Sequence, residues 1–176
     1  MKRLSVALWA VLLIFLAVSC GAPVEKEVKA ITALENELTA MEARPDAARL
    51  GELLDMYMHF VDHHGDDARS QEYLYKALSL SMGTNNGAKA MELADRMLNE
   101  YPKSERIPET VFLKAFIYEN QLSNLGLALK TYQDFLSRFP EHELADDAEA
   151  AINNLGKSPE ELIREFEAKA AEQSAD

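Results

Sequence analysis

L-A-D-R-M-L-N-E-Y-P-K-S-E, residues 93–105, and T-Y-Q-D-F-L-S-R-F-P-E-H-E, residues 131–143, end alike. Each closes an amphipathic run on an aromatic–proline pair, Tyr101-Pro102 and then Phe139-Pro140, 38 residues later. Proline lacks an amide hydrogen and restricts the residue before it, so each pair predicts a helix end. The same shift extends the match outward: Lys76-Ala77 falls on Lys114-Ala115, Asn86 on Asn124, Ala90 on Ala128 and Leu98 on Leu136. Apolar or aromatic character persists from Leu74 to Phe112 and from Leu80 to Tyr118. Small residues recur where helices approach closely and large ones where gaps are filled, which is a packing pattern. Shifting backwards puts His63-His64 on Tyr101-Pro102, Phe60 on Leu98, Asp67 on Glu105 and Glu52 on Ala90. That degenerate copy suits a terminal repeat, which lacks a neighbour on one face.

Good helix formers fill the segments, and no alternating β-branched run predicts a strand. Breakers divide the chain into helices over about 26–43, 47–63 (ended by Gly65), 68–82 and a fourth ending at Tyr101. Others follow over about 107–121, 125–139 and 143–155. A last helix starts at Ser158-Pro159, where Glu161 completes a capping box. It places Leu162, Ile163 and Phe166 on one face, as a capping helix would. Helix pairs recurring at this period imply an all-α, right-handed antiparallel helix-pair solenoid, with about three repeats plus capping helices. The helical domain is expected over 30–171, with a disordered tail at 172–176.

The residues that carry this pattern resemble the tetratricopeptide repeat family. In the best copy they are Ala115 and Tyr118, then Ala128, Tyr132, Leu136 and Pro140; the preceding copy offers Ala77, Ala90, Leu98 and Pro102. The period exceeds the family's 34 residues by four, which implies longer turns or helices. The resemblance implies that the first helix of each pair lines a concave groove, bringing Leu74, Leu78, Ser81, Phe112, Phe116, Glu119 and Asn120 toward a partner. Leu74, Leu78, Phe112 and Phe116 read equally as core. With F-P-E-H-E-L-A-D-D-A, the chain also resembles BamD-type outer-membrane-assembly lipoproteins and CpoB-type periplasmic repeat proteins. Those families imply a scaffold that holds partner proteins near the membrane.

The first residues support a membrane-proximal reading. Lys2 and Arg3 precede an apolar run from Leu4 to Val18, shorter than the roughly 20 residues that a spanning helix needs. This pattern predicts a lipoprotein signal peptide over 1–19. Cys20, the only cysteine, follows Ala17-Val18-Ser19 and precedes Gly21, as in a bacterial lipobox with Ala17 where leucine is usual. A lone thiol makes no intramolecular disulfide, and the lipobox resemblance implies that Cys20 is the lipidation site and residues 20–29 its tether. Gly21, by resemblance to enterobacterial sorting, points to the periplasmic side of the outer membrane. Removing Lys2 and Arg3 with the signal would leave 16 basic residues against 30 acidic ones, a net charge near −14. Such a surface repels nucleic acid and offers no polybasic patch for anionic lipid, so the lipid anchor is expected to supply the membrane attachment.

Catalytic patterns are sparse. His59, His63 and His64 sit among Asp62, Asp66 and Asp67, and His59 and His63 share a helix face. A metal-binding or enzyme-accessory module is one reading; helix-end histidines beside helix-starting aspartates are the other. Asp146-Asp147 are adjacent and diverge on a helix, so they suit first-turn positions rather than a general acid–base dyad. G-T-N-N-G, residues 83–87, lacks the Lys-Ser/Thr of a phosphate loop and reads as a turn. No catalytic residue, cofactor, metal or small-molecule substrate is therefore expected. The function expected is a lipid-anchored scaffold for an envelope protein or peptide, with a self-associating structural lipoprotein as another reading.

Overall fold

The computed structural model describes residues 21–167 except 44, 159, 162 and 166. The expected signal segment, Cys20, Leu162, Phe166 and the tail at 172–176 lie outside the described residues. Seven helices are bounded: α1 (Gly21–Ala40), α2 (Ala47–His63), α3 (Ser70–Gly83), α4 (Gly87–Glu100), α5 (Ile107–Asn120), α6 (Leu125–Arg138) and α7 (Ala145–Asn154). Residues 160, 161, 163–165 and 167 are also helical, and no strand occurs among the described residues. The chain is all-α, and its helices pack in adjacent pairs. It forms two units, Met1–Ala77 and Leu78–Asp176, whose boundary falls within α3.

The expected breaks are where the helices stop. Asp46, Asn86 and Asn124 precede α2, α4 and α6, and each side chain accepts the amide three residues on, from Arg49, Lys89 and Leu127. These bonds satisfy amides that a helix leaves without internal partners. Asn85 and Ser123, one residue earlier, take φ of 57° and 51° and reverse the chain into the cap. Ser158 and Glu161 form the expected capping box: the Ser158 amide donates to Glu161 Oε2 at 2.7 Å, and the Glu161 amide donates to Ser158 Oγ at 3.2 Å. Those bonds from Ser158 hold the Glu161 carboxyl below its ordinary range.

Two expectations need correction. The first helix begins at Gly21 rather than Lys26, so residues 21–29, expected as tether, are helical. Their carboxylates are engaged along the helix: Glu25 with Arg69 at 2.7 Å and Glu27 with His64 at 3.2 Å. Ile163, expected on the buried face of a capping helix, is exposed.

The backward register also shifts by one residue. The linkers after α2, α4 and α6 each hold six residues and make the same bonds. The amides of His64, Tyr101 and Phe139 donate to the carbonyls of Phe60, Met97 and Phe135. Three residues on, Asp67, Ser104 and His142 donate to His64, Tyr101 and Phe139; after three more, Ser70, Ile107 and Ala145 donate to Asp67, Ser104 and His142. A side chain repeats as well: Asp67 Oδ1, Ser104 Oγ and His142 Nδ1 accept the amides of Arg69, Arg106 and Leu144. His64-Gly65, not His63-His64, therefore corresponds to Tyr101-Pro102, and the spacing of those two copies is 37 residues. Leu53, not Glu52, then matches Ala90, and Leu78, not Ala77, matches Ala115. The cause is linker length. Residues 84–86 join α3 to α4, whereas 121–124 join α5 to α6, one residue more.

In the first unit, Ile31, Leu34 and Leu38 of α1 and Leu53, Tyr57, Phe60 and Val61 of α2 are buried. Both sets recur at helical spacing, as a core-facing stripe requires. Tyr73 on α3 stacks on Tyr57 at 5.5 Å between centroids and meets Phe60 edge-on at 4.9 Å. In the second unit, α5, α6 and α7 share a cluster of Ile107, Val111, Ala115, Ala128, Tyr132, Phe135 and Ala148. Alanines at 115, 128 and 148 let the backbones approach, while Tyr132 and Phe135 fill the space between them.

Candidate interaction surface

Ala77, Ala90, Ala115 and Ala128 are fully buried, and Tyr132 nearly so. Leu98, Tyr118 and Leu136 pack half-buried against the core of the second unit. Pro102 and Pro140 are exposed in their linkers, where they stop helices without filling the core.

The seven residues expected to meet a partner divide. Leu74, Leu78 and Ser81 are completely buried, which corrects their reading as a surface. On a helix, groove and core positions lie one turn apart, and sequence spacing does not separate them. Phe112 meets Tyr132 and Phe135 edge-on at 5.5 and 5.7 Å, so most of its ring is core. Glu119 accepts a 2.9 Å hydrogen bond from Tyr132 Oη. Phe116 and Asn120 remain exposed on α5, with Phe116 38 % accessible and Asn120 Nδ2 donating to the Phe116 carbonyl. Phe116 thus lies one turn from the Asn120 amide and the Glu119 carboxylate on α5.

A tyrosine–carboxylate contact recurs in the first unit and was not read from the sequence. Tyr57 Oη donates to Glu35 Oε1 at 2.7 Å, and Lys76 Nζ donates to the same oxygen at 2.8 Å. Tyr57 and Tyr132 hold equivalent places on α2 and α6, six residues before each helix end. Burial, then the neighbouring glutamate, pushes both phenols well above the usual tyrosine range. The corrected register would have revealed the pair, because it aligns the two tyrosines; the original register set Tyr57 beside Asp95 instead.

The histidines point to helix-end contacts. The His63 Nδ1 hydrogen donates to the His59 carbonyl at 2.8 Å, and the two rings lie 4.1 Å apart. His64 Nε2 lies 3.2 Å from Glu27 Oε2, with His59 Nε2 at 3.9 Å from the same oxygen. Asp67 binds Arg69 through both carboxylate oxygens, which lowers its carboxyl to about 2. Among the described residues, no group of three or more His, Cys, Asp or Glu side chains gathers as a metal site. Asp146 and Asp147 sit in the first turn of α7. No described helix is long and apolar enough to cross a membrane.

Among the described residues these features define an all-helical chain in which the linkers after α2, α4 and α6 repeat one hydrogen-bond pattern. In comparisons with known proteins, no family model and no curated protein matches the chain.

Proposed function

We propose that this protein is a lipid-anchored scaffold of the bacterial envelope, built as a tetratricopeptide-like helix-pair solenoid and holding a partner protein near the outer membrane from its periplasmic side. The observation that supports the solenoid is the threefold recurrence of one six-residue linker, with the same backbone bonds and the same side-chain cap. Identical linkers set identical helix-to-helix turns, which is how repeat arrays propagate. The anchor is proposed from Cys20 at the end of its apolar run. Partner contact is proposed through Phe116, Glu119 and Asn120.

The test is capture from detergent-solubilised envelope by the lipidated protein, with Phe116→Ser as the comparison. A specific envelope protein retained by the native chain and reduced by Phe116→Ser supports the proposal. No specific partner across several detergents, with folding intact, defeats it. Mass spectrometry of the processed N-terminus tests the anchor independently: acylated Cys20 is expected, and an unmodified Met1 start contradicts it.

A self-associating lipoprotein is a second reading, favoured by the exposed Leu122, Leu125 and Leu127 around the α5–α6 linker. Sedimentation as a monomer at high concentration excludes it.

A further inference from the structure

One surface of the first unit is shaped for a helix. The chain directions of α1 and α2 are antiparallel, as the contacts Glu37–Arg49, Glu35–Tyr57 and Glu27–His64 show. Between them lies an open groove of about 570 Å³. Its floor is apolar and small: Ala30 and Ile31 from α1, with Ala48, Gly51 and Met56 from α2. A Cβ placed on Gly51 would meet nothing within 4 Å, so the space above the glycine is open. Along α2 the lining runs from Ala48 to His59, a length of roughly 17 Å at 1.5 Å per residue. That is about three helical turns, and a strip of alanine and glycine permits the 8–10 Å approach of packed helices.

The rim supplies the second half of the specification. Glu27, Glu52 and Asp55 line it, with no lysine or arginine among the lining residues. Glu52 is paired with Arg49 and Glu27 with His64, but Asp55 has no ion pair among the described residues. An occupant that covers the floor therefore brings an apolar stripe, and a cation beside Asp55 complements the acidic rim.

We propose that the α1–α2 groove docks an amphipathic partner helix of about three turns, with an apolar stripe flanked by lysine or arginine. The proposal rests on the scaffold reading and names the chemistry of a partner for it. The groove lies on different helices from Phe116, so the two surfaces are tested separately.

The probe is a labelled synthetic amphipathic helix of roughly 15 residues, about four turns, with a leucine–alanine stripe and lysine flanks. A matched peptide carries glutamate flanks. Fluorescence anisotropy against the full chain is expected to show binding of the lysine peptide, at least about tenfold weaker binding of the glutamate peptide, and weakening with added salt. Gly51→Leu fills the groove and is expected to reduce binding by about tenfold or more without lowering the melting temperature, because leucine favours a helix and the site is open. Asp55→Lys leaves the floor untouched and should narrow the difference between the peptides. Equal binding of both peptides, or binding unchanged in Gly51→Leu, overturns the proposal. A dimer of the full chain that Gly51→Leu dissociates assigns the groove to a second copy instead, which also overturns it. No binding of the lysine peptide, with envelope capture by the native chain intact, removes this site while leaving the scaffold reading intact; no capture by the native chain removes the scaffold reading itself.

Discussion

Replacing Gly87 with alanine should destabilise the protein, against the usual direction of that substitution inside a helix. Gly87 opens α4 and is buried. A Cβ there would lie 2.8 Å from Gln121 Cβ and 3.2 Å from both Gln121 Oε1 and Leu122 Cδ2. The first contact is with an atom fixed to the backbone of the α5–α6 linker, so it cannot be relieved by rotating a side-chain tip. Gln121 is also held by its Nε2 hydrogen bond to the Met82 carbonyl at 2.9 Å. Alanine in place of glycine gains about 0.5–1 kcal/mol inside a helix, whereas overpacking costs about 1–3 kcal/mol. The two ranges centre on a net loss of roughly 1 kcal/mol, or a fall in Tm of about 2–4 °C for a chain of this size. Gly126→Ala is the control, since its nearest non-neighbour atom is Asn124 Oδ1 at 3.9 Å. It should raise Tm slightly. Thermal melts followed by circular dichroism measure both. Equal shifts for the two variants would refute the reasoning, because only the close approach of α4 to the linker separates them. The next pair solves the same contact in reverse: Leu125 stands where Gly87 does, and the small residue is Gly156, whose added Cβ would meet Leu125 Cδ1 at 3.1 Å.

Three further predictions concern groups held by named partners. Phe135→Ala empties a fully buried site ringed by Phe112, Phe139 and His142, and urea denaturation should register a loss of about 3–5 kcal/mol. Tyr57 and Tyr132 should stay protonated in the folded protein above the pH at which a free tyrosine ionises, as read from tyrosinate absorbance. Because their folded pKa values are raised, the stability that they contribute is present below the unfolded value near 10 and is lost as pH rises above it. Normal titration of all six tyrosines without unfolding contradicts this. Asp67 carries the opposite sign. Its carboxyl is lowered to about 2 by Arg69, so its contribution is present above the unfolded value near 4 and falls away toward pH 2. Asp67→Asn should flatten acid denaturation in that window; an unchanged profile counts against the contact.

The two prolines made most of the fold readable. Tyr101-Pro102 and Phe139-Pro140 stop α4 and α6 by backbone sterics alone, and no tertiary context is needed to see that. The 38-residue shift also aligns Asn86 with Asn124, and the structure shows what they share: each caps the helix that follows it. The earlier copy was misregistered because His64-Gly65 ends α2 without a proline. It uses an aromatic ring on Phe60, 4.9 Å away, much as Phe139 lies against Phe135. One extra residue in 121–124 then hid the 37-residue spacing behind the 38-residue one. The start of α1 was missed because the contacts of Glu25 and Glu27 come from residues about 40 positions away. Of the expected partner surface, Leu74, Leu78 and Ser81 proved to be core. A helix presents groove and core positions on adjacent turns, and only burial separates them. The α1–α2 groove carries no motif; it is a gap left by alanine and glycine, and such gaps become visible only when two helices are placed side by side.

The central claim, that this chain holds an envelope partner against its helices, is met most directly by crosslinking in living cells. A photoreactive phenylalanine analogue at Phe116 should give one saturable adduct with an envelope protein, retained with the membrane fraction. The same analogue at Tyr132, which is buried, should give none. No adduct from position 116, or the same adducts from both positions, would contradict the account.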